Sequence, residues 1–223
     1  MSALFISVHP DNPQPRYINQ ICNILDEGKV AVLPTDSAYA LCCKTEQKQA
    51  VERIARIRQI DKHHNFTLLC RDLSELSTYA KVDNNIFRLL KHHIPGPYTF
   101  ILPATKEVPR RLMNEKRKTI GMRIPSNAIL DAIIDKLNEP LMSCSLILPG
   151  QTEALGDPVT INDEIGSLVD VIVDGDDSID NLDREELFQR FERAIRGIRG
   201  LLDNDDNDED DNEDEDEKKG GKK

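Results

Sequence analysis

Along the chain up to about residue 175, hydrophobic positions switch repeatedly between two periods. Apolar side chains at alternate or consecutive positions predict strands near Leu4 to Val8, Lys29 to Leu33, Phe66 to Cys70, Tyr98 to Leu102, Thr119 to Ile124, Leu141 to Leu148 and Val169 to Val173. Between them a 3.6-residue period predicts helices at Arg16 to Glu27, Gln47 to Arg58, Leu73 to Tyr79, Asn84 to His93, Ala128 to Leu137 and Ile161 to Leu168. In the first of these, Ile18, Ile21, Cys22 and Leu25 share one face. Strands alternating with helices predict the α/β class. From Asp180 the pattern changes: Leu187, Phe188, Phe191, Ala194, Ile195, Ile198, Leu201 and Leu202 recur at helical spacing, predicting an amphipathic helix within 179–202 that packs on the body or on a partner.

Composition adds limits. With 223 residues, 39% hydrophobic and 31% charged, the chain supports one substantial core, here a single domain over 1–178. The formal charge of −11 is concentrated at the end, because 203–223 holds twelve acids against four lysines. That segment repels itself and cannot bury apolar area, so it is expected to be disordered. The rest carries only −3, which leaves room for a local basic crevice that binds phosphate. The five cysteines form no C-x-x-C and are odd in number, which argues against a disulfide framework or a zinc site. No apolar run approaches the ~18 residues needed to span a bilayer, and the N-terminus lacks a signal-peptide pattern, so a cytoplasmic protein is expected.

Several segments carry candidate chemistry. The run Lys29 to Cys43 opens as a strand and breaks at Pro34 into Thr35, Asp36 and Ser37; polar groups at a strand's carboxyl end are candidates for ligand contact, although the same residues also serve as turn and cap formers. Arg56 and Arg58 close a predicted helix, and act together only if the helix ends there. Arg123, between a strand and Pro125, offers a guanidinium fork on a rigid element. Ser143 and Ser145, two apart in a strand, share one face, with Cys144 pointing away. The pairs His63-His64 and His92-His93 are adjacent rather than i, i+4, so no metal site is predicted there, and no P-loop pattern occurs.

The PTD turn, RIRQ, PGPYT, the R-x-P of GMRIP and SCSLILPG, in that order across roughly residues 5 to 175, resemble the YrdC/YciO family of threonylcarbamoyl-adenylate synthases, with the YciO branch nearest. The resemblance implies a twisted mixed sheet curved about a concave binding face. It also implies ATP, carrying Mg²⁺ on its phosphates, with L-threonine and bicarbonate as substrates, in the service of tRNA adenosine modification. On that basis Arg56 and Arg58 are the catalytic cations, and Thr35, Arg123 and Ser143 bind substrate. Arg58, Lys62, Thr119 and Ser145 bind the nucleotide, while Asp36 braces the turn. The chain departs from the family in four places. RIRQ replaces K-x-R, Ser145 replaces an Asn, Cys70 stands where many synthases have His, and the closing strands after residue 175 are missing.

Two other functions compete. Arg56, Arg58, Lys62, Arg110, Arg111, Lys116, Arg117, Lys118 and Arg123 could form a phosphate-tracking stripe for double-stranded RNA or tRNA, with little or no catalysis. Alternatively, the terminal helix and acidic tail engage a basic protein partner.

Overall fold

The computed structural model describes residues 2–60, 64, 66–114 and 116–175. The predicted terminal helix, the acidic tail and Lys62 lie outside the described residues. Eight strands, β1 (Leu4–Ser7), β2 (Ala31–Leu33), β3 (Ala40–Lys44), β4 (Thr67–Leu69), β5 (Phe100–Pro103), β6 (Thr119–Arg123), β7 (Leu141–Ser145) and β8 (Val171–Asp174), form one sheet in the order β1-β8-β2-β3-β7-β4-β6-β5. Pairing is mixed: β1 with β8, β2 with β8 and β4 with β6 run parallel, and the other four pairs run antiparallel.

Six helices flank it: α1 (Pro15–Asp26), α2 (Lys48–Arg58), α3 (Leu73–Tyr79), α4 (Asn84–His93), α5 (Ala128–Leu137) and α6 (Pro158–Ile165). Local chemistry sets their ends. Asp72, Asp83, Asn127 and Asp157 each accept a hydrogen bond from a first-turn N–H, satisfying donors the helix leaves orphaned. Gln59 adopts φ 50° and stops α2 directly after Arg58, the condition under which Arg56 and Arg58 need not diverge along a continuing helix.

Two apolar layers sandwich the sheet. On one face Ile54 of α2, Leu76 of α3, Leu90 of α4 and Ile161 and Ile165 of α6 pack with Val32, Leu41, Leu68, Met122, Met142 and Cys144. On the other, Ile18, Ile21 and Leu25 of α1 and Ile129, Leu130, Ile133 and Ile134 of α5 pack with Ala31, Leu33, Ala40, Cys42, Leu69, Leu141, Val171 and Val173. Burial of these side chains, at ~25 cal/mol per Å² of apolar surface, is the main force holding the layers together.

Three elements differ from the sequence expectation by more than two residues. β3 has no predicted counterpart, since Ala40, Leu41, Cys42 and Cys43 are all buried and show no alternation that would separate them from the preceding run. β7 stops at Ser145 rather than Leu148, because after Leu146 N–H reaches the Tyr39 carbonyl in the same register, Ile147 N–H folds back on the Ser145 carbonyl. α6 starts at Pro158, three residues early, because Asp157 caps it and Pro158 occupies a first-turn position where no N–H is needed.

Candidate functional site

The turn after β2 is built on Thr35. Its hydroxyl accepts from Ser37 N–H and Ala38 N–H, both at 3.1 Å, and donates to the Ala38 carbonyl at 2.6 Å. This fixes Asp36 and Ser37. One Asp36 oxygen then accepts from Arg123 Nη2 and the other from Ser126 N–H at 3.0 Å, while the same Arg123 Nη2 donates to Ser37 Oγ at 2.9 Å. The two side chains are each only 11% exposed.

That ion pair also reports the shape of the sheet. β2 and β6 are separated by β3, β7 and β4, and the pairing makes them antiparallel, so their carboxyl ends start at opposite ends of the sheet. Four interstrand steps of ~20–25° accumulate to nearly a right angle. Contact between Asp36 and Arg123 therefore requires diagonal corners to curl over one face, the face on which α5 begins at Ala128.

On this face the apolar contacts of α1 and α5 stop at Leu69 and Leu141. Beyond them the same face carries Ser143, Thr67 and Gly121 in one register line across β7, β4 and β6, then Ser145 and Thr119 in the next line. A polar half-face in a buried layer is a cost to stability, unlike an apolar core. Gly121 keeps its floor low, since a Cβ there would lie 2.7 Å from Thr67 Oγ1 and 2.9 Å from the Phe66 carbonyl oxygen.

The cations behave differently. Arg56 is exposed, whereas Arg58 is half-buried and hydrogen-bonds Cys144, whose Sγ is 3.5 Å from His64 Nε2. Burial pushes the Cys144 thiol up, and the hydrogen bond and charge of Arg58 pull it partly back. Cys144 packs with the other layer, so Arg58 meets β7 from behind the polar half-face. The remaining thiols belong to the core: burial raises Cys22 to about 11 and Cys43 to about 12, which keeps them neutral and unreactive at ordinary pH.

The structure thus gathers Thr35, its turn and Arg123, sets Ser143, Ser145 and Thr119 on the same face, and leaves Arg58 against Cys144 on the opposite side of the sheet. Ser143 is 5% exposed and donates its hydroxyl to the Thr67 carbonyl at 3.2 Å. Among the described residues, four buried side-chain polar atoms have no partner: Arg58 Nε, Thr119 Oγ1, Arg123 Nε and Asn162 Oδ1. Three of the four belong to residues singled out from the sequence. Thr67, Ser126 and the Arg58–Cys144 contact were not anticipated; the one available signal was a glycine inside the strand TIGMR, which marks close backbone approach.

A family model described as "Telomere recombination", covering Sua5, YciO and YrdC proteins, matches residues 23–186. The chain belongs to the Sua5/YciO/YrdC family. The Escherichia coli protein YciO, described as uncharacterized, is 60% identical over 171 residues, 77% of this chain and 83% of the relative. Its crystal structure matches with a TM-score of 0.76 at 59% identity, covering 78% of this chain and 84% of that one. A threonylcarbamoyl-AMP synthase of Vibrio vulnificus is 27% identical over 162 residues, 71% of this chain and 86% of the relative. P. abyssi Sua5 complexed with L-threonine has a TM-score of 0.71 at 22% identity, covering 78% of this chain and 50% of that one, a likeness of fold. Among the described residues no helix is long and apolar enough to cross a membrane.

Proposed function

We propose that this member of the Sua5/YciO/YrdC family is a threonylcarbamoyl-adenylate synthase-like enzyme that joins ATP, L-threonine and bicarbonate, supplying an adduct for tRNA adenosine modification. The observation that carries the reading is the set of unpartnered buried donors and acceptors on Arg58, Thr119 and Arg123. Buried polar atoms without partners cost ~1–3 kcal/mol each, and the presence of two of them, on Thr119 and Arg123, on one polar half-face fits a site whose ligand supplies the missing bonds. A distant relative is a threonylcarbamoyl-AMP synthase and a structural neighbour holds L-threonine, which supports the substrate class.

The chemistry brings anions together. The threonine amine adds to bicarbonate, water leaves, and the resulting carbamate oxygen attacks the α-phosphorus of ATP as the bond to the β-phosphate oxygen breaks and pyrophosphate departs. Arg123 retains N–H donors beyond the Nη2 held by Asp36 and Ser37, and these bind the amino-acid carboxylate. Thr35 and Ser143 shape the substrate pocket around it. Arg58, aided by Arg56 and Lys62, neutralises charge building on the phosphates, with Thr119 and Ser145 beside the nucleotide and Mg²⁺ arriving on ATP. Pyrophosphate release should require both L-threonine and bicarbonate, and Arg58→Ala should lower it about a hundredfold, as loss of one transition-state donor does. Release that ignores either co-substrate would overturn the assignment.

An RNA-binding role is the second reading, favoured by the exposed Arg110, Lys116, Arg117 and Lys118 in the segment leading into β6. RNA binding with a steep salt dependence and no pyrophosphate release would favour it.

A further inference from the structure

We propose that Thr67 is a specificity-determining contact for the amino-acid half of the substrate, an inference that rests on the proposed synthase reading of the same site. Ser143 and Thr67 face one another across β7 and β4. Their hydroxyls are in different states. That of Ser143 is turned onto the Thr67 backbone carbonyl at 3.2 Å, and Ser143 is buried. Among the described residues the Thr67 hydroxyl makes no hydrogen bond, and Thr67 is half-buried rather than sealed. A threonine hydroxyl on a partly open inward face can both donate to and accept from a bound group.

Geometry decides which half of the substrate it meets. Thr67 is the register partner of Gly121, and Leu69 that of Arg123. Thr67 is therefore one strand across and two residues along from Arg123, an offset of about 5 Å by about 7 Å. The Gly121 position keeps the space between them open, because the nearest obstruction a side chain there would meet is the Thr67 oxygen itself. A small amino acid whose carboxylate sits on Arg123 would bring its amine or side-chain hydroxyl over Thr67 Oγ1. Thr119 and Ser145 lie one register line further from Arg123 than Thr67 does, which leaves that side to the nucleotide.

Calorimetric titration of L-threonine into the full chain with a non-hydrolysable ATP analogue present tests this, alongside pyrophosphate release. Thr67→Val keeps the β-branched shape over Gly121 and removes only the hydroxyl. It should raise the Kd for L-threonine about tenfold, leave the Kd for the ATP analogue within twofold, and narrow the preference for L-threonine over L-2-aminobutyrate. Thr67→Ser should restore wild-type binding. Unchanged threonine affinity in Thr67→Val, or equal weakening of the nucleotide, would overturn the assignment, as would wild-type protein that binds no amino acid. Wild-type protein that binds L-threonine in a Thr67-dependent way yet releases no pyrophosphate would support Thr67 and overturn only the synthase reading.

Discussion

At the scale of single residues, the Asp36–Arg123 pair is where stability and site geometry coincide. Both side chains are almost wholly withdrawn from water, and the carboxylate also accepts Ser126 N–H. Removing one partner of such a pair strands the other charge, at a cost of about 3–5 kcal/mol, whereas replacing both with apolar groups recovers much of it. Asp36→Ala should therefore lose about 3 kcal/mol in urea unfolding, and Asp36→Ala with Arg123→Met should recover at least half. A loss under about 1 kcal/mol for the single variant would mean the pair is screened by water and does not fix the curl of the sheet. The sequence showed Arg123 as a fork at a strand end and Asp36 as a brace of its turn. It could not show that they brace each other, because they are 87 residues apart and meet only through the twist of three intervening strands. For the same reason it could not show that Ser143 and Thr67 face one another across β7 and β4. Which of two facing hydroxyls is spent on a backbone carbonyl depends on register, and register is a tertiary property.

At the scale of elements, helix caps contribute to the acid sensitivity of the fold. Asp157 caps α6, accepting from the Thr160 hydroxyl at 2.5 Å, from Thr160 N–H at 2.8 Å and from Val159 N–H at 3.3 Å. The Thr160 hydroxyl, followed by the backbone N–H groups, holds its carboxyl below the ordinary value of 3.8, against a smaller opposing effect of burial. A carboxyl lowered in the folded state binds protons more weakly there than in the unfolded chain. Its contribution is thus present above pH 3.8 and lost as pH falls through the lower folded value. Asp157→Asn keeps the cap but carries no charge, so its stability should fall less steeply below pH 3.8 than that of wild type, with Asp157→Ala about 1 kcal/mol less stable at neutral pH. Parallel acid slopes for wild type and Asp157→Asn would remove Asp157 from the account. Glu75 in α3 works in the opposite sense: burial raises it above 4.5, so its contribution is complete below that pH and fades as pH rises through the folded value. Caps of this kind are legible in sequence, yet the D-P pair before α6 went unread because the apolar period there begins only at Ile161. β3 was missed for the converse reason: a strand buried on both faces has no period to read.

For the molecule as a whole, the sheet order β1-β8-β2-β3-β7-β4-β6-β5 is what gathers residues from four separate strands, and no pattern in the chain encodes it. The class α/β followed from alternation alone. The mixed sheet and its hollow came from motif resemblance, and the meeting of diagonal corners at Asp36 and Arg123 supplies the physical reason for the hollow. Charge is the other property of the whole chain. Residues 203–223 hold a net −8 of the total −11, on a segment whose composition leaves nothing apolar to bury. Deleting them should leave the urea midpoint unchanged. On the RNA-binding reading, the deletion should also strengthen binding of an RNA duplex severalfold at about 20 mM salt, because eight negative charges near a phosphate polymer repel it across a Debye length of about 20–30 Å. At about 0.5 M salt that length falls below about 5 Å, so the two forms should bind alike. An advantage of the shortened chain that persisted unchanged at high salt would show that the tail acts by occupying the surface rather than through its field.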